Sequence, residues 1–98
     1  MQIEFVNQCA ADASFGVEFG GQSSGRTAVL HVGQSATMDI SNIGITDGQS
    51  CWARAYVQAG PNHDSRDNFA FHTGSSQVVV YTLTGTVDTP SFSCTGCS

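Results

Sequence analysis

Apolar and polar residues alternate with a period of two along most of this chain, and helical spacing is weak throughout. The stretch "IEFVNQC" places Ile3, Phe5 and Cys9 on one face, and "SFGVEF" groups Phe15, Val17 and Phe19 with Glu18 opposite. A "GGQSSG" turn follows. "RTAVLHV" then aligns Ala28, Leu30 and Val32, and "ATMDI" aligns Ala36, Met38 and Ile40. A loop at Gly33-Gln34-Ser35 predicts a hairpin in which Val32 faces Ala36, Leu30 faces Met38 and Ala28 faces Ile40. Shortening that loop by one residue would set Leu30 against Thr37 and scatter the apolar face, which buried strands do not tolerate. A tight turn at Gly74-Ser75 predicts a second hairpin, with Phe71 facing Val78 and Phe69 facing Val80. Turn signals recur at roughly eight- to twelve-residue intervals, as in β-sandwiches and barrels. The expected fold is all-β, an antiparallel β-sandwich of about seven to eight short strands. With no repeat, linker or low-complexity run, residues 1–98 read as a single domain.

The strand "SCWARAYVQ" is patterned differently. Cys51, Ala53, Ala55 and Val57 make a face of small apolar groups; the other face carries Trp52, Arg54 and Tyr56. Two readings stay open: Trp52 as a core residue with Arg54 reaching past it to solvent, or an exposed aromatic platform with a guanidinium between its rings. Gly60-Pro61 ends the strand, since proline cannot donate to a ladder. The loop that follows holds Asn62, His63, Asp64, Ser65, Arg66, Asp67 and Asn68 before Phe69 resumes the apolar pattern.

That crowding stands out because only 11% of the chain is charged. Calcium would find oxygens here, but the order lacks the EF-hand spacing and Arg66 competes for the site. His63 beside Asp64 or Asp67 has the makings of a catalytic dyad, but no Gly-x-Ser-x-Gly elbow accompanies it. A carboxylate pair for glycoside hydrolysis needs a cleft that so small a domain rarely supplies. Sugar recognition fits better: vicinal hydroxyls, each donor and acceptor, match the planar groups of Asp, Asn and Arg. Galactose adds an apolar patch of C–H bonds that rests on an indole. The plain alternative is a solvated, turn-rich loop. The candidate ligand-binding set is Trp52, Arg54, Asn62, His63, Asp64, Arg66, Asp67 and Asn68; no catalytic residue, cofactor or metal is expected.

Composition narrows the partners. Net charge is −5, and Arg26, Arg54 and Arg66 are the fixed cations. Nucleic acids and anionic membrane surfaces both select for clustered Lys and Arg, so neither is expected. Nor does any stretch approach the ~20 apolar residues of a membrane-spanning helix. No secretory leader is visible before the first strand pattern: either one has been removed or the protein is leaderless. The four cysteines, Cys9, Cys51, Cys94 and Cys97, suggest two disulfides and an extracellular or otherwise oxidising setting. Three pairings are possible. A bridge within the closing "CTGC" would strain a small ring, so the preferred pairing takes Cys9 and Cys51 each to one tail cysteine. Zinc would call for two close ligand pairs, and a thioredoxin-like CxxC would sit in a βαβ pattern that is missing here.

The acidic, leaderless all-β chain of 10.3 kDa, opening "MQIEFVNQCAADASFGVEFGG" and closing "FSCTGCS", resembles the small α-galactosyl-binding lectins of mushroom fruiting bodies. The resemblance implies a fungal lectin or agglutinin that binds terminal galactose on glycolipids or glycoproteins without catalysis; because one shallow site binds a sugar weakly, a homodimer displaying several sites is expected. A shorter likeness links "IEFVNQC" to the opening strand of thaumatin-like proteins, whose early cysteine bonds to the far end of the chain. This implies Cys9 paired with the tail. The other functional class in view is a small disulfide-stapled defence or cell-wall protein, such as a protease inhibitor.

Overall fold

The alternation does produce strands. A computed structural model describes residues 1–97 and contains no helix among them. Nine strands form: β1 Gln2–Asn7, β2 Ala13–Phe19, β3 Gln22–Ser23, β4 Ser35–Asp39, β5 Ser50–Val57, β6 His63–Asp64, β7 Phe69–Ala70, β8 Val78–Gly85 and β9 Pro90–Thr95. They build two sheets, one in the order β4-β1-β8-β9, the other β3-β2-β5-β6 with β7 also paired to β5.

The two sheets share one apolar core. Ile3 and Phe5 of β1 and Val79, Tyr81 and Leu83 of β8 come from the first sheet; Phe15 and Val17 of β2 and Ala53 and Ala55 of β5 come from the second. All of these are fully buried. The small alanines leave room for rings, and Phe5 stacks on Phe15 with centroids 5.4 Å apart. Asn7, also fully buried, has its amide satisfied: Nδ2 donates to the carbonyls of Ala11 (2.9 Å) and Leu30 (2.8 Å), and Oδ1 accepts from the Cys9 amide (2.9 Å). Burying that amide is tolerated because its bonds tie two loops to the end of β1.

Both expected hairpins are replaced by crossovers between the sheets. Residues 24–30 do not face β4; they run beside β2. Thr27 N donates to Phe15 O, Leu30 pairs with Ala13, and the Ser24 and Thr27 hydroxyls accept from Val17 N and Phe15 N. Hydroxyls thus take the place of ladder carbonyls. The segment also comes so close that a Cβ on Gly16 would lie 2.4 Å from the Gly25 carbonyl oxygen. β4 pairs instead with β1, Ile3 opposite Met38 and Phe5 opposite Ala36, and Val32 is left exposed. The second hairpin fails in the same way. Phe69 pairs with Cys51 in one sheet, whereas β8 crosses to the other and runs parallel to β1. The sheets are therefore not wholly antiparallel.

The cysteine pairing also differs from expectation. One disulfide forms, Cys94–Cys97, while Cys9 and Cys51 are buried thiols. Gly96, at φ +95°, turns the chain where a side chain would be strained, and the two Cα atoms sit 5.9 Å apart, an ordinary disulfide span. Cys9 was out of reach of the tail. Gly96 packs on Val79, which lies level with Ile3, and Cys9 follows the other end of β1, about 20 Å away at ~3.3 Å per residue.

Candidate functional site

Strand β6 divides the candidate residues between two surfaces. In the ladder, Asp64 sits opposite Arg54 and His63 opposite Ala55. Because successive side chains point to opposite faces, Asp64 joins the outer face of the second sheet and His63 turns toward the first sheet. The two are not brought together as a dyad.

On the outer face, Trp52, Arg54 and Tyr56 are half-buried, neither in the apolar core nor fully exposed. Arg54 holds Asp64 in a two-pronged bond, Nε to Oδ1 at 2.6 Å and Nη2 to Oδ2 at 3.0 Å. Its Nη1 lies 2.5 Å from Glu18 Oε1. Glu18 is nearly buried, with Oε2 accepting from the Ser23 hydroxyl at 2.6 Å and Oε1 lacking an aligned donor beyond that ion contact. The Arg54 fork, aided by the Trp52 indole N–H, holds the Asp64 carboxyl below its usual range. Asp64 in turn raises Arg54 further. Arg26 covers the Tyr56 ring at 3.7 Å. This face is charged and aromatic, but its charges are mostly spent on one another.

The rest of the loop turns the other way and lines the edge between the sheets. One cleft, of about 390 Å³, is bounded by His63, Arg66 and Asp67 on the loop and by Pro90, Ser91 and Phe92 of β9. A second, of about 380 Å³, shares Arg66 and Asp67 and continues to Asn68, Cys94 and Cys97. His63 stacks on Phe92 at 5.8 Å, forming a two-ring wall. Asn62 is exposed just before β6.

Below these side chains the backbone is firmly held. Ser65 is buried; its N–H donates to Ala53 O (2.8 Å), and its hydroxyl accepts from Ala53 N (3.1 Å) and donates to Asp67 O (3.0 Å). The same Asp67 carbonyl accepts from the Tyr81 hydroxyl at 2.7 Å. Burial pushes that hydroxyl up to about 12, so it stays a donor through the neutral range. Asn68 donates to Ser50 Oγ at 3.2 Å. Among the described residues, however, the Arg66 and Asp67 side chains form no salt bridge and no hydrogen bond.

The sequence reading missed the opposite wall, Pro90, Ser91 and Phe92, together with Tyr81 and Glu18. One signal was present: "SFSC" alternates as a strand whose apolar side carries Phe92 and Cys94. Its neighbour across the edge was not readable, because β6 and β9 belong to different sheets.

No protein-family model matches the chain, and no curated protein does either. A solved structure described as "Crystal Structure of Gram Negative Toxin" superposes on 99% of the chain with a TM-score of 0.53 at 14% identity. The chain spans 23% of that structure's length, so the likeness is to one part of a larger protein. It is a likeness of fold alone.

Proposed function

We propose that this protein is a non-enzymatic lectin whose edge cleft binds terminal, α-linked galactose on glycolipids or glycoproteins, with the two sheets serving as a sandwich scaffold. The observation that carries the reading is the state of Arg66 and Asp67: side chains with no partner among the described residues, on a loop whose backbone is fixed by Ser65 and Tyr81. Donors and acceptors held in place without a protein partner lose little freedom when a hydroxyl pair meets them, and bonds to charged groups are the stronger kind. Phe92 and His63 offer an apolar wall for the C–H face of the sugar. The site is thereby narrowed to His63, Arg66, Asp67 and Asn68, with Phe92 and Ser91 added from β9; Trp52, Arg54, Asn62 and Asp64 fall outside it. The proposal invokes no cofactor and no metal.

A protease inhibitor would present an extended, protruding loop, and here the loop folds back onto β5 through a buried serine. One shallow cleft holds a monosaccharide weakly, so the proposal includes a homodimer that displays two clefts and cross-links cells. The test is a glycan array probed with oxidised protein. Galactose-terminated glycans should give the signal, free galactoside should compete it away, and Asp67→Ala should abolish it. An array silent on every galactoside would end the proposal.

A further inference from the structure

The cysteines fall into two chemical populations. Cys9 and Cys51 are fully buried thiols, and burial pushes Cys51 up to about 11, away from the reactive thiolate. The Cys94–Cys97 bridge instead lies at the surface, half-buried, on the wall of the second cleft beside Arg66 and Asp67. A bridge across a sequence separation of three closes a very short loop, so it constrains the unfolded chain far less than a long-range staple would. Global stability is a poor account of why it is there. Its contacts suggest another.

Cys97 Sγ lies 3.4 Å from the Tyr81 hydroxyl, and that hydroxyl donates to the Asp67 carbonyl. Gln77 Nε2 bonds Gly96 O at 3.0 Å, docking the turn between the two cysteines against the start of β8. A contiguous path therefore runs from the disulfide through Tyr81 to the backbone that presents Arg66 and Asp67. We propose that Cys94–Cys97 is an exchangeable disulfide, open to small dithiols, whose redox state sets the shape of the cleft. In the exchange, a dithiol's thiolate attacks one sulfur and expels the other as a thiolate, giving a mixed disulfide. The second thiol of the dithiol then releases the first cysteine. The protein gains two electrons and two protons as two cysteine thiols, and the dithiol leaves as its cyclic disulfide. Reduction frees Cys97 from its turn, removes a sulfur wall from the cleft and leaves Tyr81 as a looser clamp on Asp67. The consequence for sugar binding rests on the lectin reading above; the structural switch does not.

The test uses the full chain without denaturant, equilibrated with reduced or oxidised dithiothreitol, with alkylation and mass spectrometry to count thiols. Reduction should add alkylation at Cys94 and Cys97 and none at Cys9 or Cys51. Hydrogen exchange at the Ala53 and Ser65 amides should then rise about fivefold to tenfold, the factor expected when a local opening loses a restraint of hydrogen-bond size. The double variant Cys94→Ser, Cys97→Ser should reproduce that exchange without reductant, and methyl α-galactoside should bind it more weakly than it binds the oxidised protein. A bridge that resists dithiothreitol in the native protein, or identical exchange in both states, would overturn the proposal. Galactoside failing to bind even the oxidised protein would instead strike at the lectin reading, and the exchange measurement would still decide the switch.

Discussion

Two Arg–Asp combinations lie within a few residues of each other, and their surroundings give them opposite properties. Arg54 and Asp64 satisfy each other through two aligned bonds, whereas Arg66 and Asp67 have none among the described residues. Their substitutions should separate. Asp67→Ala removes an acceptor that no described residue uses, so its melting temperature should stay near that of the parent while galactoside affinity falls at least tenfold, a loss of ~1.5–3 kcal/mol for a charged hydrogen-bonding group. Calorimetric titration beside thermal unfolding checks both halves. Asp64→Asn should act on stability against pH. Arg54 holds the folded Asp64 carboxyl below its ordinary 3.8, so the pair contributes above that value and its contribution disappears as pH falls through the lower folded one. The parent should therefore lose more stability than Asp64→Asn as the solution is acidified below about 4. The parent's advantage at neutral pH should be this same amount and small, because both partners are substantially exposed and screened, and it should close in acid.

Elements decide where these residues go. Ser65→Ala would leave Ala53 N without its acceptor and Asp67 O with one donor fewer, costing about 1–2 kcal/mol and loosening the loop. Denaturant unfolding should show the cost, and affinity should fall although Ser65 is buried beneath the cleft. Gly16→Ala should be more damaging than an exposed glycine change. Its Cβ would run into backbone oxygen of Gly25, so the covering segment must shift, at about 1–3 kcal/mol. The element scale is also where the sequence was partly legible. Alternation correctly gave the inward residues of β1, β2 and β5, because a half-buried strand must keep its apolar set on one side. It gave the wrong partners for "RTAVLHV" and for Phe69–Phe71, because periodicity reports which face is buried and not which strand lies alongside. Ser24 read as an ordinary turn residue and Thr27 as a polar position of a strand, although their hydroxyls replace ladder carbonyls. Of the candidate set, the loop's polar character was visible. Its division by β6 into an outward Asp64 and an inward His63 needed the register with β5.

For the whole molecule, two sheets meet at one edge, where β6 faces β9, and the cleft lies there. No helix in the described residues is long and apolar enough to cross a membrane. Lone Trp52 lies on the outer face, on the far side of β6 from His63, which makes its indole N–H a single built-in reporter of the competing platform. Trp52→Ala should accordingly leave galactoside affinity unchanged, and isothermal titration of that variant would show it. The most direct measurement is an NMR titration of the oxidised protein with methyl α-galactoside, following backbone amides and the Trp52 indole together. The account predicts shifts concentrated at residues 63–68 and 90–97 with the indole unmoved. Shifts centred on Trp52, Arg54 and Tyr56 with the cleft silent would contradict it.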